Sequence, residues 1–298
     1  MWHANYIAVD WGTTNRRAWL IDSKNDVAGE FDDQLGLMSV PEGGFEAAAA
    51  DIRHQLGDYP MLLAGMVGSD KGWHQAGYVP CPADAQSIAA SVLWIEPMRT
   101  GIVPGVCQIE GHADVMRGEE VQVLGAQIIA KLAPDAVICH PGTHSKWIQL
   151  QHGKISQFQT AMTGEIFSLL KTKSILADQM SGEVSNNASF QAGLKDAQDG
   201  VPLLGALFAV RARYLLQSLP LADAAYASGL LIGNDVKAGL AQAKADSCVT
   251  LIGRPDICHL YASAIAAAGF KSIHVDGSEA FRAGIRSIIA YFGKGTRH

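Results

Sequence analysis

The segment Asp10-Trp11-Gly12-Thr13-Thr14-Asn15 carries residue types suited to holding a phosphate. A glycine able to take a positive φ and two small hydroxyl residues leave backbone N–H groups open to an anion. Asp10 is a candidate for a divalent cation that keeps much of its water and takes one or two carboxylates. A plain hairpin turn capped by Asp and Gly has the same composition, so the hexapeptide alone leaves both readings open. A second bend of this kind is His140-Pro141-Gly142-Thr143-His144-Ser145-Lys146. Its two histidines have the spacing of a helical zinc site, but Pro141 and Gly142 forbid the helix that such a site needs.

Glu119 and Glu120 open an apolar stripe at helical spacing (Val121, Leu124, Ile128). Negative charge is favoured at a helix start for dipole reasons alone, and a carboxylate there is also a plausible general base. The loop from Gly65 to His74 mixes glycines with Ser69, Lys71 and Trp73, as binding loops do and as anchored surface loops also do. Thr163 and Glu165 either cap a helix or line a cleft. Gly229 and Gly233, beside Ser228, interrupt a helical pattern, which costs about 1 kcal/mol each against alanine and indicates close helix packing or close approach of a ligand.

Strand-like runs precede and follow each bend, at 6–9 and 18–21 and again at 135–139 and 147–150, so both bends read as hairpin turns. Further strands are expected at 27–31, 61–64, 155–161, 249–252 and 271–275. Helices are expected at 42–56, from 119, and at 166–170, 203–219, 221–243, 256–268 and 279–292. Gly253-Arg254-Pro255 forms the turn of a late βαβα unit that can admit a flat ligand to the backbone. One hairpin in each half suggests two related lobes whose turns face one another across a cleft.

A chain of 298 residues with 48% hydrophobic content has the means to bury one large core or two smaller ones. Its net charge of −6 comes without long runs of like charge, so neither nucleic acid nor a membrane surface has an electrostatic footprint. No signal segment or apolar run of membrane-spanning length is evident. Five cysteines without a C-x-x-C pair suit a reducing compartment, and a cytoplasmic location is expected. The sequon at Asn187 is discounted on that ground. Neither a Walker A sequence nor G-x-G-x-x-G occurs, which excludes the P-loop and protein-kinase routes to ATP.

Seven motifs in order, DWGTTN from Asp10, GMVGSDKGW from Gly65, MRGEE from Met116, PGTHSKW from Pro141, MTGE from Met162, SGLLIG from Ser228 and AGIRSI from Ala283, resemble the 2-dehydro-3-deoxygalactonokinase family. That family lies within the sugar kinase/Hsp70/actin superfamily. The resemblance implies a two-lobed α/β fold of ribonuclease H-like type with a nucleotide cleft between lobes, divided here into residues 1–117 and 118–298 with the last helix near the interface. It implies ATP-dependent phosphorylation, with Mg2+, of the 6-hydroxyl of 2-dehydro-3-deoxy-D-galactonate. Carried over by position, Asp10 organises magnesium, and Gly12, Thr13, Thr14, Gly142 and Thr143 hold the triphosphate. Ser228, Gly229, Gly233 and Gly253 fall to the adenosine, and Glu119 is favoured over Glu120 as base. Arg17, Ser69 and Lys71 are candidates for the substrate carboxylate, with Trp73 closing the pocket and Thr163 and Glu165 beside it. The alternatives are a kinase of another small sugar or sugar acid, and a non-enzymatic ATP-switched module, for which 298 residues leave little room. A homodimer is the default assembly.

Overall fold

The computed structural model describes all residues except 1, 3, 218–222, 242, 245 and 294–298. The chain divides into two compact units. The first runs from the amino terminus to Pro134 and takes in Gln151–Gln157 and everything from Gly277 onward. The second comprises Asp135–Leu150 and Phe158–Asp276.

In chain order the elements are β1 (Tyr6–Trp11), β2 (Arg16–Ile21), β3 (Val27–Asp33), α1 (Phe45–Leu56), β4 (Met61–Gly65), β5 (Tyr78–Pro80), α2 (Ala85–Ala90), β6 (Leu93–Glu96), β7 (Thr100–Ile102), β8 (Gly105–Gln108), β9 (Asp114–Met116) and α3 (Glu119–Ile129). There follow β10 (Ala136–His140), β11 (Ser145–Gln151), β12 (Lys154–Ala161), α4 (Thr163–Lys173), α5 (Ala188–Gln198), α6 (Leu203–Leu215), α7 (Ala224–Gly239), β13 (Cys248–Gly253), α8 (Pro255–Ala267), β14 (Lys271–Asp276) and α9 (Gly277–Ile289).

Two mixed sheets repeat one strand order. The first reads β3-β2-β1-β4-β7-β6 and the second β12-β11-β10-β13-β14. In each, the first strand turns back antiparallel into its neighbour (β1 to β2, β10 to β11) and lies parallel to a later strand on its other side (β4, β13). This duplication is what twin hairpins in the sequence lead one to expect, and it gives the α/β fold its two related halves. β4, and β1 as far as Val9, are continuously apolar because both faces of a central strand are covered. A small third sheet, β5-β8-β9, accompanies the first.

The boundary between units differs from the expected one after residue 117. α3 packs along α9 through a glycine seam: a Cβ on Gly125 would lie 1.7 Å from the Ala280 carbonyl oxygen, and one on Gly284 1.8 Å from that of Val121. Backbones that close act as one body, so α3 and the last helix both belong to the first unit. Helix α1 starts at Phe45 rather than Glu42 because Gly43 takes φ +72°. The expected ends of the neighbouring helices at Leu219 and Leu221 lie outside the described residues. No described helix is long and apolar enough to cross a membrane.

Candidate functional site

β1 and β4 end side by side, with Trp11 opposite Gly65. Beyond β1 the chain turns at Gly12–Asn15, closed by Gly12 N–H donating to Asn15 O at 2.9 Å. The turn is braced from behind, since Gly36, Leu37 and Met38 donate to the carbonyls of Thr14, Gly12 and Thr13 at 3.0–3.1 Å. Gly36 must be glycine, because a Cβ would fall 2.3 Å from Thr14 C. The Thr13 and Thr14 side chains are exposed. Gly12 does not take the positive φ expected of it. Its glycine instead permits close approach, a Cβ lying 3.3 Å from Asn15 O.

Asp10 and Arg17 are cross-strand partners, and Arg17 Nη2 donates to Asp10 Oδ2 at 2.9 Å. Arg17 Nη1 also donates to Ser278 Oγ at 3.0 Å. Arg17, expected to meet the substrate carboxylate, is thus committed to Asp10. A single carboxylate at a strand end suits magnesium, which completes its shell with water and phosphate oxygens. Among the described residues no group of three or more His, Cys, Asp or Glu could cage a metal unaided.

The start of α3 abuts these strand ends. Gly118, at φ +103°, would bring a Cβ to 3.2 Å from Gly65 Cα, so only glycine lets the helix begin here. The two glutamates that follow differ in kind. Glu119 is half-buried and accepts from Arg117 N–H at 2.9 Å. Glu120 is wholly buried and accepts from Gly118 N–H at 2.7 Å. Burial, reinforced by the neighbouring Glu119 charge, pushes the Glu120 carboxyl up to about 8 against the weaker pull of Gly118 N–H and Arg117. Glu120 therefore holds a proton at neutral pH.

After β4 the chain packs on itself. Trp73 N–H donates to Val67 O at 2.8 Å, Gly72 N–H to Ser69 O at 3.1 Å and Ala76 N–H to Gly68 O at 3.0 Å. Trp73 packs on the first unit's core, Lys71 is exposed, and Ser69 is only 6% exposed. Arg117, which sequence reasoning did not single out, enters this loop: its Nη2 donates to Gly77 O at 2.8 Å and its guanidinium lies 4.4 Å from the Tyr78 ring centroid. Ser69 Oγ, Arg117 Nε and Nη1, and Glu120 Oε1 are buried without a hydrogen-bond partner. Such atoms cost roughly 1–3 kcal/mol each and are uncommon. The signal in the sequence was a cation inside MRGEE, immediately before the helix start.

In the second unit the turn after β10 leaves Gly142 and Thr143 exposed. The first turn of α4 lies against it: Glu165 N–H donates to Thr143 O at 3.0 Å, and a Cβ on Gly164 would be 2.5 Å from Gly142 O. Gly253, at φ +141°, closes β13 with its Cβ position 3.7 Å from Pro141 O, so Gly142, Thr143 and Gly253 share one neighbourhood. The side chains expected to meet substrate here are held by protein. Thr163 Oγ1 donates to buried Asp235 Oδ2 at 2.7 Å, and Glu165 pairs with His144 Nε2. Asp235 also accepts from Trp147 Nε1 at 2.9 Å and from the Tyr261 hydroxyl. Burial and the Asp235 charge raise the Tyr261 pKa, which keeps that donor protonated.

Gly229 and Gly233 lie in the seam between α7 and α5. A Cβ on Gly229 would fall 2.1 Å from Phe190 O, and one on Gly233 2.7 Å from Ala197 Cβ. Helix packing accounts for both, and neighbouring Ser228 is buried. Of the two causes open for these glycines, α5 fills the space that a ligand would need.

Residues 10–288 match the family model described as 2-keto-3-deoxy-galactonokinase. The chain is 36% identical over 293 residues to the 2-dehydro-3-deoxygalactonokinase of Escherichia coli (strain K12), covering 96% of this chain and 97% of that protein. It is 36% identical over 297 residues to a probable 2-dehydro-3-deoxygalactonokinase of Rhizobium meliloti (strain 1021), covering 94% and 95%. The crystal structure of a candidate 2-dehydro-3-deoxygalactonokinase from Sinorhizobium meliloti superposes with a TM-score of 0.89 at 33% identity, over 97% of this chain and 99% of that one. Matches of this length, reaching from the Asp10 turn into α9, mean that the chain belongs to the 2-keto-3-deoxy-galactonokinase family.

Proposed function

We propose that this protein transfers the γ-phosphoryl group of ATP to the 6-hydroxyl of 2-dehydro-3-deoxy-D-galactonate. The observation that carries the reading is the seating of Gly118 against Gly65, which sets the start of α3 at the ends of β1 and β4, the strand that bears Asp10 and its neighbour. Ligands of open α/β sheets gather at the carboxyl ends of parallel strands, and here the helix start beside those ends carries two carboxylates in separate environments. Relatives matching over nearly the whole chain bear the name of this activity.

Phosphoryl transfer asks the protein chiefly for positioning and charge stabilisation. Asp10 holds magnesium, which when bound neutralises charge on the phosphate oxygens. In the first unit Gly12, Thr13 and Thr14 offer turn backbone and hydroxyls suited to phosphate; in the second, Gly142 and Thr143 offer the same beside Gly253. Glu119 removes the proton of the acceptor hydroxyl. Glu120 already carries a proton and instead fixes the Gly118 N–H. Thr163 and Glu165 secure the Gly142–Thr143 turn through Asp235 and His144.

The test is ADP release by purified protein with Mg2+ and ATP across a panel of sugar acids and neutral sugars, followed by location of the phosphate by NMR. Stimulation by 2-dehydro-3-deoxy-D-galactonate with the phosphate on O6 supports the reading. A larger kcat/KM for another acid or for a neutral sugar replaces the substrate, and ATP hydrolysis indifferent to every acceptor removes the kinase.

A further inference from the structure

Two residues of the first unit with unpartnered buried polar atoms, Ser69 and Arg117, lie at Gly68. A Cβ on Gly68 would lie 2.8 Å from Arg117 Nη1, and the next residue, Ser69, has its Oγ buried and unpaired. Arg117 Nε and Nη1 are likewise buried with no acceptor. The guanidinium is fixed by its bond to Gly77 O and by the Tyr78 ring, and Ser69 is fixed by backbone bonds to Met66 and Gly72. A held cation and a hydroxyl on a braced backbone, both with donors in hand and no acceptor, are the groups an anion needs.

Among the described residues no protein group accepts a hydrogen bond from these atoms. Glu120 turns its carboxyl back onto Gly118 N–H and is held in its protonated form by burial. The other cations considered for the substrate carboxylate lack such a setting, Arg17 being paired with Asp10 and Lys71 exposed. The Tyr78 ring over the guanidinium is 40% exposed.

We infer that Arg117 and Ser69 receive the carboxylate of the sugar-acid substrate and select an acid over a neutral sugar. The inference rests on the sugar-acid kinase reading above. It assigns specificity to a buried donor pair, where an unmet partner is penalised most heavily.

The experiment compares wild type, Ser69→Ala and Arg117→Met in the full chain. It measures calorimetric binding of 2-dehydro-3-deoxy-D-galactonate and of its C1 carboxamide without ATP, and steady-state kinetics with both. Loss of a hydrogen bond to a charged group is expected to weaken acid binding about 10-fold in Ser69→Ala and about 100-fold or more in Arg117→Met. The preference for acid over amide collapses toward unity while KM for ATP stays within about 2-fold of wild type, which a merely structural role would not produce. An unchanged acid-to-amide ratio in either folded variant overturns the inference, and Ser69→Ala, which removes a single oxygen, decides alone if Arg117→Met fails to fold. Turnover of the acid without dependence on Arg117 or Ser69 sinks this assignment and leaves the kinase reading intact. Dependent binding without turnover does the reverse, and neither binding nor turnover in wild type sinks both.

Discussion

Arg17 stands opposite Asp10 in the β1–β2 ladder and closes a 2.9 Å ion pair on the carboxylate proposed to hold magnesium, while its other arm reaches Ser278 at the start of α9 at 3.0 Å. The Arg17 side chain is 46% exposed and that of Asp10 14%, so the pair is a solvent-screened one that contributes about 0–1 kcal/mol. Asp10→Asn is therefore expected to leave the thermal midpoint nearly unchanged. Turnover should fall roughly 10³-fold or more, because the ion's stabilisation of transferred charge is worth several kcal/mol. Thermal melts paired with ADP-release kinetics measure both.

Glu120 gives the protein a pH signature. Its carboxyl stays protonated up to about 8 when folded, against an ordinary value of 4.5. Below the ordinary value both states are protonated and nothing is lost. As pH rises through it, the unfolded chain releases a proton that the folded chain keeps, so stability declines until the folded group also ionises. Each pH unit in that window costs up to about 1.4 kcal/mol. Glu120→Gln removes this slope, and denaturant unfolding at pH 5 and pH 8 should show the variant gaining on wild type at the higher pH.

Gly142, proposed to face the triphosphate, and Gly229, packed between helices, differ in the room around them. Nothing lies closer than 4.0 Å to a Cβ on Gly142, whereas a Cβ on Gly229 meets the Phe190 carbonyl oxygen at 2.1 Å. Gly142→Ala should hold stability within about 0.5 kcal/mol and raise KM for ATP. Gly229→Ala should lose about 1–3 kcal/mol as α5 and α7 are forced apart. Its KM for ATP should stay near wild type.

Asp235 serves Trp147, Thr163 and Tyr261 from a buried position. Asp235→Ala strands three donors, and urea unfolding should register a loss of about 3 kcal/mol or more. The first turn of α4 loses its anchor against Gly142–Thr143, so KM for ATP in the surviving folded protein should rise as well.

The hairpins were legible because an apolar run, a Gly/Thr bend and a second apolar run signal themselves locally, and the bends at Gly12 and Gly142 sit where that pattern puts them. The glycines of α7 were legible as an anomaly but not as to cause, since the cause is α5, a helix overlooked although Phe190, Gly193, Leu194 and Ala197 mark its buried stripe. Thr163 and Glu165 were assigned outward roles because their partners Asp235 and His144 lie 72 and 21 positions away. Arg117 escaped notice for a related reason: its setting is made by Gly68, Gly77 and Tyr78, which only the folded loop brings to it.

The division of labour between the two glutamates at the head of α3 is the centre of the account. Single-turnover phosphoryl transfer from bound ATP to 2-dehydro-3-deoxy-D-galactonate, run side by side on Glu119→Gln and Glu120→Gln, tests it most directly. Glu119→Gln should slow the step by about 10²–10⁴, the usual worth of a general base, with nucleotide affinity retained, while Glu120→Gln stays within about 10-fold of wild type because it replaces a group already neutral. A dead Glu120→Gln beside an active Glu119→Gln would contradict the account.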